Sequence, residues 1–286
     1  AIDLKINLDV ASFFELFKSL TNNKKMVNSE HKKFLDWCKK NVKELSVVEK
    51  KHYLAPKGQI NPYHFVKVLF DNLSPLTQII TGDGTAAVVT FKVAKLKEGQ
   101  RLYTNKGCAS MGYDLPALLG ALYAKSPLEK LLITGDGSIM MNLQELSSLR
   151  PFAKEDIKIF VLNNKGYHSI RQSQNNYFGG FEVGCGEDSN LFMPDLKKIA
   201  KAFDLKYLKV DSSKTLLKAI SNKEKCIKFI EVILDGSQGF EPRVTSKELP
   251  SGKMVSSPLE EMAPLLDKDE FLKRMLIPLA DNSNYE

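Results

Sequence analysis

The sequence is poor in cysteine and has no long apolar run. Its 286 residues include four cysteines without CxxC spacing: Cys38, Cys108, Cys185 and Cys226. This scatter indicates neither a zinc site nor a disulfide framework, so we expect a cytoplasmic protein in a reducing environment. No stretch approaches the roughly 18 consecutive apolar residues that would suggest a membrane span. We therefore expect no membrane partner.

The chain also lacks a concentrated basic block, although its formal net charge is +7. The lysines are spread through many amphipathic segments, as at Lys197 and Lys198 or at Lys223 and Lys225. Nucleic-acid-binding patches instead gather basic residues on one surface. The charge is better interpreted as a solvated lysine-rich surface, so we expect no nucleic-acid partner.

Breaker residues and periodicity divide the chain into three parts. Apolar residues recur at helical spacing within residues 1–55, which predicts a helical appendage. Pro56 and Gly58 mark a linker. Residues 56–235 alternate strand, turn and helix patterns, which predicts an α/β domain with a mainly parallel sheet. Residues 236–286 lose this periodicity and are interpreted as a C-terminal tail.

Two polar turns follow predicted strands of the α/β part. Asp136 follows the apolar run 131–134 between two glycines, and a pair of asparagines follows the run 157–162. Either turn alone is common, but Gly135 to Asn164 spans 30 residues, which is room for one helix and one returning strand. Parallel strands place such turns side by side at the carboxyl edge of the sheet, where these folds bind ligands.

The two turns offer the hard oxygen ligands that Mg²⁺ prefers. A carboxylate at Asp136, an asparagine amide oxygen and the carbonyl of Gly166 would leave room for two phosphate oxygens and a water. Gly137 and Ser138 lie at a helix entry, where free N–H groups favour phosphate. The sequence therefore predicts a site for a metal and a diphosphate.

Together the turns resemble the thiamine-diphosphate motif, which begins with GDG and ends with NN at about the spacing from Gly135 to Asn164. Residues 104–117 resemble the Met-Gly and Leu-Pro-Ala segment of acetolactate synthase-like enzymes, and residues 142–146 resemble their N-x-Q-E-L helix. The resemblance covers about residues 56–265. It implies the three-layer α/β/α thiamine-diphosphate-binding fold, with thiamine diphosphate and Mg²⁺ as cofactors.

Further segments narrow the resemblance. Residues 163–174, with the segments 242–244 and 257–262, resemble a branch of this group linked to sugar or polysaccharide biosynthesis. The resemblance implies a lyase or transferase that decarboxylates or ligates 2-keto acids. Substrate choice would depend in part on the loop 178–191, whose residue types indicate no particular substrate.

The resemblance also assigns roles to the residues of the turns. Asp136, the Asn164 side chain and the Gly166 carbonyl would bind Mg²⁺. Residues of two turns would surround the diphosphate: Gly84, Thr85, Ala86, Gly137 and Ser138. In acetolactate synthases the earlier turn usually reads Gly-Gln-His, so this chain differs from the family at two side chains. Backbone contacts to the diphosphate do not depend on those side chains.

Four further positions are assigned around the cofactor. Met111 matches the apolar wedge that bends thiamine diphosphate into its V shape, although by itself it could equally be a core methionine. The Ala109 carbonyl and the Met111 N–H match positions that hold the aminopyrimidine. Tyr167 and His168 follow the metal-binding turn and would face the cofactor or substrate, with His168 a candidate for proton transfer.

Enzymes of this family take a glutamate from a separate pyrimidine-binding domain to protonate the aminopyrimidine. The sequence shows no second α/β domain with such a motif, and residues 1–55 resemble the end of a middle domain with linker helices. We therefore expect the C-terminal part of a longer polypeptide, inactive alone. The pyrimidine-binding domain would belong to the same or a partner chain, in a homo-oligomer such as a dimer or tetramer.

Two alternatives remain at this point. The chain could be the small subunit of a split thiamine-diphosphate enzyme, or a non-catalytic module that has kept the fold without the chemistry. The length of the intact gene separates the first alternative from the preferred interpretation. Magnesium-dependent binding of thiamine diphosphate would distinguish both enzyme interpretations from the non-catalytic module.

Overall fold

A computed structural model describes residues 3–22, 29–248 and 251–277. The chain divides into two compact units, residues 1–46 and 47–286. The first unit contains helices α1 (Val10–Thr21) and α2 (Ser29–Glu44), as the helical spacing predicts. Asp9 caps α1 by accepting a hydrogen bond from the N–H of Ala11 at 2.9 Å. No described residue of either helix is buried within its unit.

The second unit is an alternating α/β structure with a small C-terminal hairpin. Its helices and strands follow in chain order: α3 (Pro62–Asn72), β1 (Thr77–Thr81), α4 (Thr85–Val93), β2 (Arg101–Tyr103), α5 (Asp114–Tyr123), β3 (Glu129–Gly135), α6 (Asp136–Met140), α7 (Glu145–Ser148), β4 (Ile157–Asn163), α8 (His168–Tyr177), α9 (Leu196–Ala202), β5 (Lys206–Val210), α10 (Ser213–Ser221), β6 (Ile227–Ile233), β7 (Ser246–Glu248), β8 (Met254–Ser256) and α11 (Lys268–Arg274). Among the described residues, no helix is both long enough and apolar enough to cross a membrane.

Six strands form one sheet in the order β2-β1-β3-β4-β6-β5, and every neighbouring pair is parallel. The predicted mainly parallel sheet is confirmed. The central strands β3 and β4 are nearly continuous apolar runs because helices cover both faces of the sheet. Strands β7 and β8 form a separate antiparallel pair.

The core has two layers, one on each face of the sheet. On one face, α3, α4 and α10 contribute buried side chains such as Phe65, Val89 and Leu216. On the other, α5, α7 and α9 contribute Leu118, Leu146 and Ala200. Helices on both faces confirm the three-layer α/β/α prediction.

Residues 47–60, which precede α3 in the second unit, pack on its α/β part. His52 is fully buried, stacks on Tyr63 with ring centroids 4.5 Å apart, and lies 2.8 Å from Glu241 Oε1. Ile60 pairs with Leu234 beside β6. Residues 47–55 therefore share a compact unit with the α/β part, while the predicted domain boundary at 55/56 stays a prediction.

Phe160 in β4 should be a large contributor to stability, because its ring is fully buried and lies 5.7 Å from that of Phe65. We expect Phe160→Ala to lower the free energy of unfolding by about 3–5 kcal/mol. Phe192→Ala is the matched control, since Phe192 is 73% exposed and should change stability by less than about 0.5 kcal/mol. Urea denaturation measures both, and equal losses would contradict the assigned core.

Candidate functional site

The three predicted turns meet at the carboxyl edge of the sheet. Strands β1, β3 and β4 are neighbours, so the turns that follow them are adjacent. The N–H of Gly166 donates to Asp136 Oδ2 at 3.0 Å, and Asn164 Nδ2 donates to Thr85 Oγ1 at 3.2 Å. The structure therefore brings residues of the two turns predicted to bind metal and of the earlier Gly84 turn into direct contact.

Asp136 is a buried carboxylate held by backbone N–H groups. It is 2% exposed, and its Oδ1 accepts from the N–H of Gly137 at 2.8 Å. Burial raises the pKa of Asp136 to about 6, and the N–H groups of Gly166 and Gly137 oppose that rise. A buried anion of this kind is a ready ligand for a cation.

The two asparagines after β4 differ in what their side chains do. Asn163 Nδ2 donates to Glu231 Oε1 at 2.6 Å, and Asn163 Oδ1 accepts from the N–H of Lys165 at 3.1 Å. Asn164 is 8% exposed, and its Oδ1 is buried without a hydrogen-bond partner. Buried polar atoms almost always have a partner, so Asn164 Oδ1 is an acceptor held ready for a ligand.

Gly166 occupies a position that only glycine fits. Its φ is +124°, and a Cβ there would lie 2.3 Å from the carbonyl oxygen of Cys185. The carbonyl of Gly166 accepts from the N–H of His168 at 3.2 Å. Arg171 Nη2 donates to the carbonyl of Lys165 at 3.0 Å, which ties the turn to α8.

The earlier turn leads into α4. Gly84 has a φ of +61° and its carbonyl accepts from the N–H of Val88 at 2.9 Å. Thr85 and Ala86 are buried, and the Ala86 methyl group belongs to the core. The first N–H groups of a helix have no partner within it, so this turn offers backbone N–H groups rather than side chains to an anion.

Ser138 and Tyr167 are committed to contacts within the protein. Ser138 Oγ accepts from the N–H of Gly112 at 2.9 Å and donates to Asp114 Oδ2 at 3.1 Å. The ring of Tyr167 packs on Gly137, where a Cβ would lie 2.4 Å from Cε1. The Ser138 hydroxyl therefore joins residues 104–113, the Met111 loop between β2 and α5, to the turn after β3.

The Met111 loop lies beside these turns. Ala109 is exposed and has a φ of +50°, and Met111 is half-buried. Gly112 has a φ of +78°, and its carbonyl accepts from Asn142 Nδ2 at 2.8 Å. A cleft of about 450 Å³ adjoins the loop, lined on one side by Gly82, Asp83 and α4 and on the other by residues 104–106, Ala109, Ser110 and Tyr113.

His168 is the first residue of α8 and is 8% exposed. Its ring meets that of Phe240 edge-on at 5.2 Å, and neither ring nitrogen makes a hydrogen bond of normal geometry. Burial, and then the charge of Arg171, lower the pKa of His168, while the nearby backbone of Gln238 opposes this. The ring is therefore neutral at pH 7, and its role in proton transfer stays a prediction.

Asp114 is a site residue that sequence reasoning missed. It opens α5, is fully buried, and accepts from Ser138 Oγ and from the N–H of Leu115 at 3.1 Å. A Cβ at Gly82 would lie 2.3 Å from Asp114 Oδ2. Burial raises the pKa of Asp114, opposed by hydrogen bonds from Thr134, Leu115 and Ser138. Asp114 thus holds the turns after β1 and β3 together.

The α/β part of the chain is similar to known proteins. Residues 82–232 match the family model of the thiamine pyrophosphate enzyme, C-terminal TPP binding domain. The acetolactate synthase large subunit of Lactococcus lactis is 26% identical over 224 residues, which are 76% of this chain and 37% of that protein. The acetolactate synthase large subunit of Buchnera aphidicola subsp. Schizaphis graminum is 30% identical over 198 residues, which are 66% of this chain and 34% of that protein. The chain thus spans about a third of the length of these relatives.

Among solved structures, benzoylformate decarboxylase from Polynucleobacter necessarius has a similar fold. The TM-score is 0.55, and the match covers 67% of this chain and 36% of that one. At 20% identity the likeness shows the shared fold alone.

The contact between Gly82 and Asp114 can be tested by a double-mutant cycle. We expect Gly82→Ala to lower the free energy of unfolding by about 1–3 kcal/mol, because the added methyl group meets the Asp114 carboxylate. In an Asp114→Ala background the loss should shrink, with a coupling energy of about 0.5–3 kcal/mol.

Gly120→Ala serves as the control, because Gly120 lies in α5 and a Cβ there would meet no atom within 4 Å. This change should leave stability unchanged or raise it by about 0.5–1 kcal/mol. Additive effects of Gly82→Ala and Asp114→Ala in urea denaturation would show that the two residues are not in contact.

Proposed function

Because the chain belongs to the thiamine pyrophosphate enzymes through their C-terminal TPP binding domain, we propose that it holds the diphosphate of thiamine diphosphate through Mg²⁺. It would serve as the C-terminal part of an acetolactate synthase-like enzyme that decarboxylates or ligates 2-keto acids, in the branch linked to sugar or polysaccharide biosynthesis. The bound cofactor supplies the stabilisation of negative charge on the former keto carbon. The residues of this chain supply binding and orientation.

The unpartnered Asn164 Oδ1 carries this proposal. A buried amide oxygen without a hydrogen bond costs free energy, and a bound metal ion removes that cost. Asp136 lies in the adjacent turn and provides the negative charge. One carboxylate with neutral amide and carbonyl oxygens suits Mg²⁺, which is usually bound through one or two carboxylates together with substrate phosphates.

The backbone completes the clamp. The Gly166 carbonyl accepts one long hydrogen bond, from His168 at 3.2 Å, and keeps a second lone pair for the metal. Diphosphate oxygens would fill further positions, held by backbone N–H groups of Gly84, Thr85, Ala86 and Ser138. Gly137 would lie against the diphosphate without donating to it, because its N–H already donates to Asp136 Oδ1. Because its hydroxyl is already bonded to Asp114 and Gly112, Ser138 would contribute its N–H rather than its side chain.

The remaining assignments concern the other end of the cofactor. Met111 would support the V shape, and the Ala109 carbonyl and Met111 N–H would hold the aminopyrimidine. Tyr167, packed on Gly137, would close the diphosphate end, and the neutral His168 ring would be available to accept a proton. The glutamate that acts on the aminopyrimidine would come from a pyrimidine-binding domain of the same or a partner chain in a homo-oligomer.

We also place the protein in the cytoplasm. All four cysteines are free, as in a reducing compartment: Cys38, Cys108, Cys185 and Cys226. Cys185 is fully buried, and its Sγ donates to Gln174 Oε1 at 3.3 Å. The four free thiols support this location.

Asn164 and Asn163 form a matched pair for testing the clamp. We expect Asn164→Ala to weaken Mg²⁺-dependent binding of thiamine diphosphate at least about tenfold, because even loss of an outer-shell group typically costs 10- to 100-fold. Asn163→Ala should lower the melting temperature by removing the bond to Glu231, yet keep a Kd near that of the parent. Isothermal titration with thiamine diphosphate, and with pyrophosphate as the minimal ligand, measures both, and equal weakening by the two changes would refute the assignment.

The raised pKa of Asp136 predicts a pH dependence for metal binding. Its carboxyl group has a pKa of about 6, so it is ionised above that pH and protonated below it. Mg²⁺ needs the ionised form, so affinity should be constant above about pH 7 and fall about tenfold per pH unit below 6.

Without metal, the pH dependence of folding stability has the opposite sign to that of metal affinity. The raised pKa means that the folded state binds the Asp136 proton more tightly than the unfolded chain, so this contribution to stability is lost as the pH rises through 6. Titrations of Mg²⁺ and pyrophosphate between pH 5 and pH 8 test the dependence. A profile that stays flat down to pH 5 would remove Asp136 from the metal site.

A further inference from the structure

A second cavity lies at the amino edge of the sheet, opposite the edge that carries the proposed cofactor site. It has a volume of about 380 Å³ and lies between the amino ends of β1, β3 and β4 and the C-terminal ends of α3 and α10. This volume falls within the roughly 300–1,000 Å³ of small-molecule sites. Its charged lining consists of four lysines and two carboxylates: Lys130, Lys158, Lys218, Lys223, Glu129 and Asp156.

Part of this positive charge is buried beside a further lysine, Lys228, which does not line the cavity and which also donates to the carbonyl of Cys226 at 3.5 Å. Lys158 Nζ lies 2.7 Å and 2.9 Å from the two oxygens of Asp156, and Lys228 Nζ lies 2.7 Å from the same Oδ1. The side chains of Lys158 and Lys228 are 7% and 0% exposed. One carboxylate cannot neutralise two ammonium groups, and a buried excess charge is costly. Burial accordingly lowers the pKa of Lys158, with Asp156 opposing the shift.

Neighbouring groups compensate part of the charge on the lining: Glu155 attracts Lys130, whose Nζ also donates to the carbonyl of Ser126 at 2.9 Å. Glu129 is engaged with Lys223 at 2.9 Å. The carbonyls at the end of α3, which would attract the cavity lysines, already bind another cation: Lys97 Nζ donates to the carbonyls of Asp71 at 2.9 Å and Leu73 at 2.7 Å. The lining residues themselves carry two more positive charges than negative ones.

We propose that this cavity binds the phosphate group of a small metabolite. A phosphate monoester carries a charge of about −1.5 to −2 at neutral pH, which matches the excess of two, whereas a carboxylate supplies half of it. Lysine binds phosphate as a point charge, so the lysines that line the cavity, Lys158 and Lys218 among them, suit this ligand. The proposal is independent of the cofactor site at the other edge.

Isothermal titration of the chain with inorganic phosphate tests the proposal, with EDTA present so that the metal site cannot contribute. Saturable binding is expected, and acetate at equal ionic strength should bind at least about tenfold more weakly, because it carries half the charge. Lys158→Met removes the excess ammonium group but keeps the pair of Asp156 and Lys228, and it should weaken phosphate binding at least about tenfold.

Two surface variants make a matched comparison on α10. Lys218 lines the cavity, whereas Lys214 is exposed on the same helix and does not line it. Lys218→Met should weaken phosphate binding and Lys214→Met should not, and neither change affects a buried side chain. This pair decides the question even where Lys158→Met does not fold.

Asn164→Ala shows at which edge of the sheet phosphate binds. It alters the proposed metal site at the carboxyl edge and should leave phosphate binding at the amino edge intact. Loss of phosphate binding in this variant would place the ligand at the cofactor site instead. Absence of saturable binding, or equal affinities in the Lys218→Met and Lys214→Met variants, would overturn the proposal. None of these outcomes depends on whether the chain binds thiamine diphosphate.

Discussion

The hydrogen bond from the N–H of Gly166 to Asp136 is the contact on which the geometry of the carboxyl edge depends. It joins the turn after β3 to the turn after β4, and it helps to hold a carboxylate that is 2% exposed. The bond forms because the register of the two strands pairs Gly135 with Leu162. It also requires a glycine, since any side chain at 166 would meet the carbonyl of Cys185. The geometry of the proposed clamp is therefore a consequence of sheet register as much as of turn sequence.

The sequence predicts those parts of the architecture that depend on patterns of consecutive residues. The apolar runs 131–134 and 157–162 predict adjacent parallel strands, because their spacing leaves room for one crossover. The role of Asp114 is different, since it arises where the start of α5 meets turns from two other strands. Residues 142–146 resemble a helix of the family, yet α7 begins only at Glu145. The Asn142 side chain instead donates to the carbonyl of Gly112.

Residue type also does not reveal which polar atoms remain available. Ser138, Asn163 and Asn164 all suit a metal or phosphate site by composition. In the structure the Ser138 hydroxyl and the Asn163 amide are bonded within the protein, whereas Asn164 Oδ1 has no partner. The distinction depends on Glu231 and Asp114, which lie far away in sequence. It becomes visible only when the hydrogen bonds of the packed chain are counted.

The layering of the fold explains why the two edges of the sheet hold buried charges of opposite sign. Helices begin at the carboxyl edge, where their free N–H groups favour a carboxylate such as Asp136 or the phosphates of a ligand. Helices end at the amino edge, where free carbonyls favour ammonium groups, as Lys97 shows at the end of α3. Lys158 and Lys228 exceed what Asp156 neutralises. Each proposed ligand therefore supplies the counter-charge that the protein leaves incomplete: Mg²⁺ for the carboxylate at one edge, and phosphate for the lysines at the other.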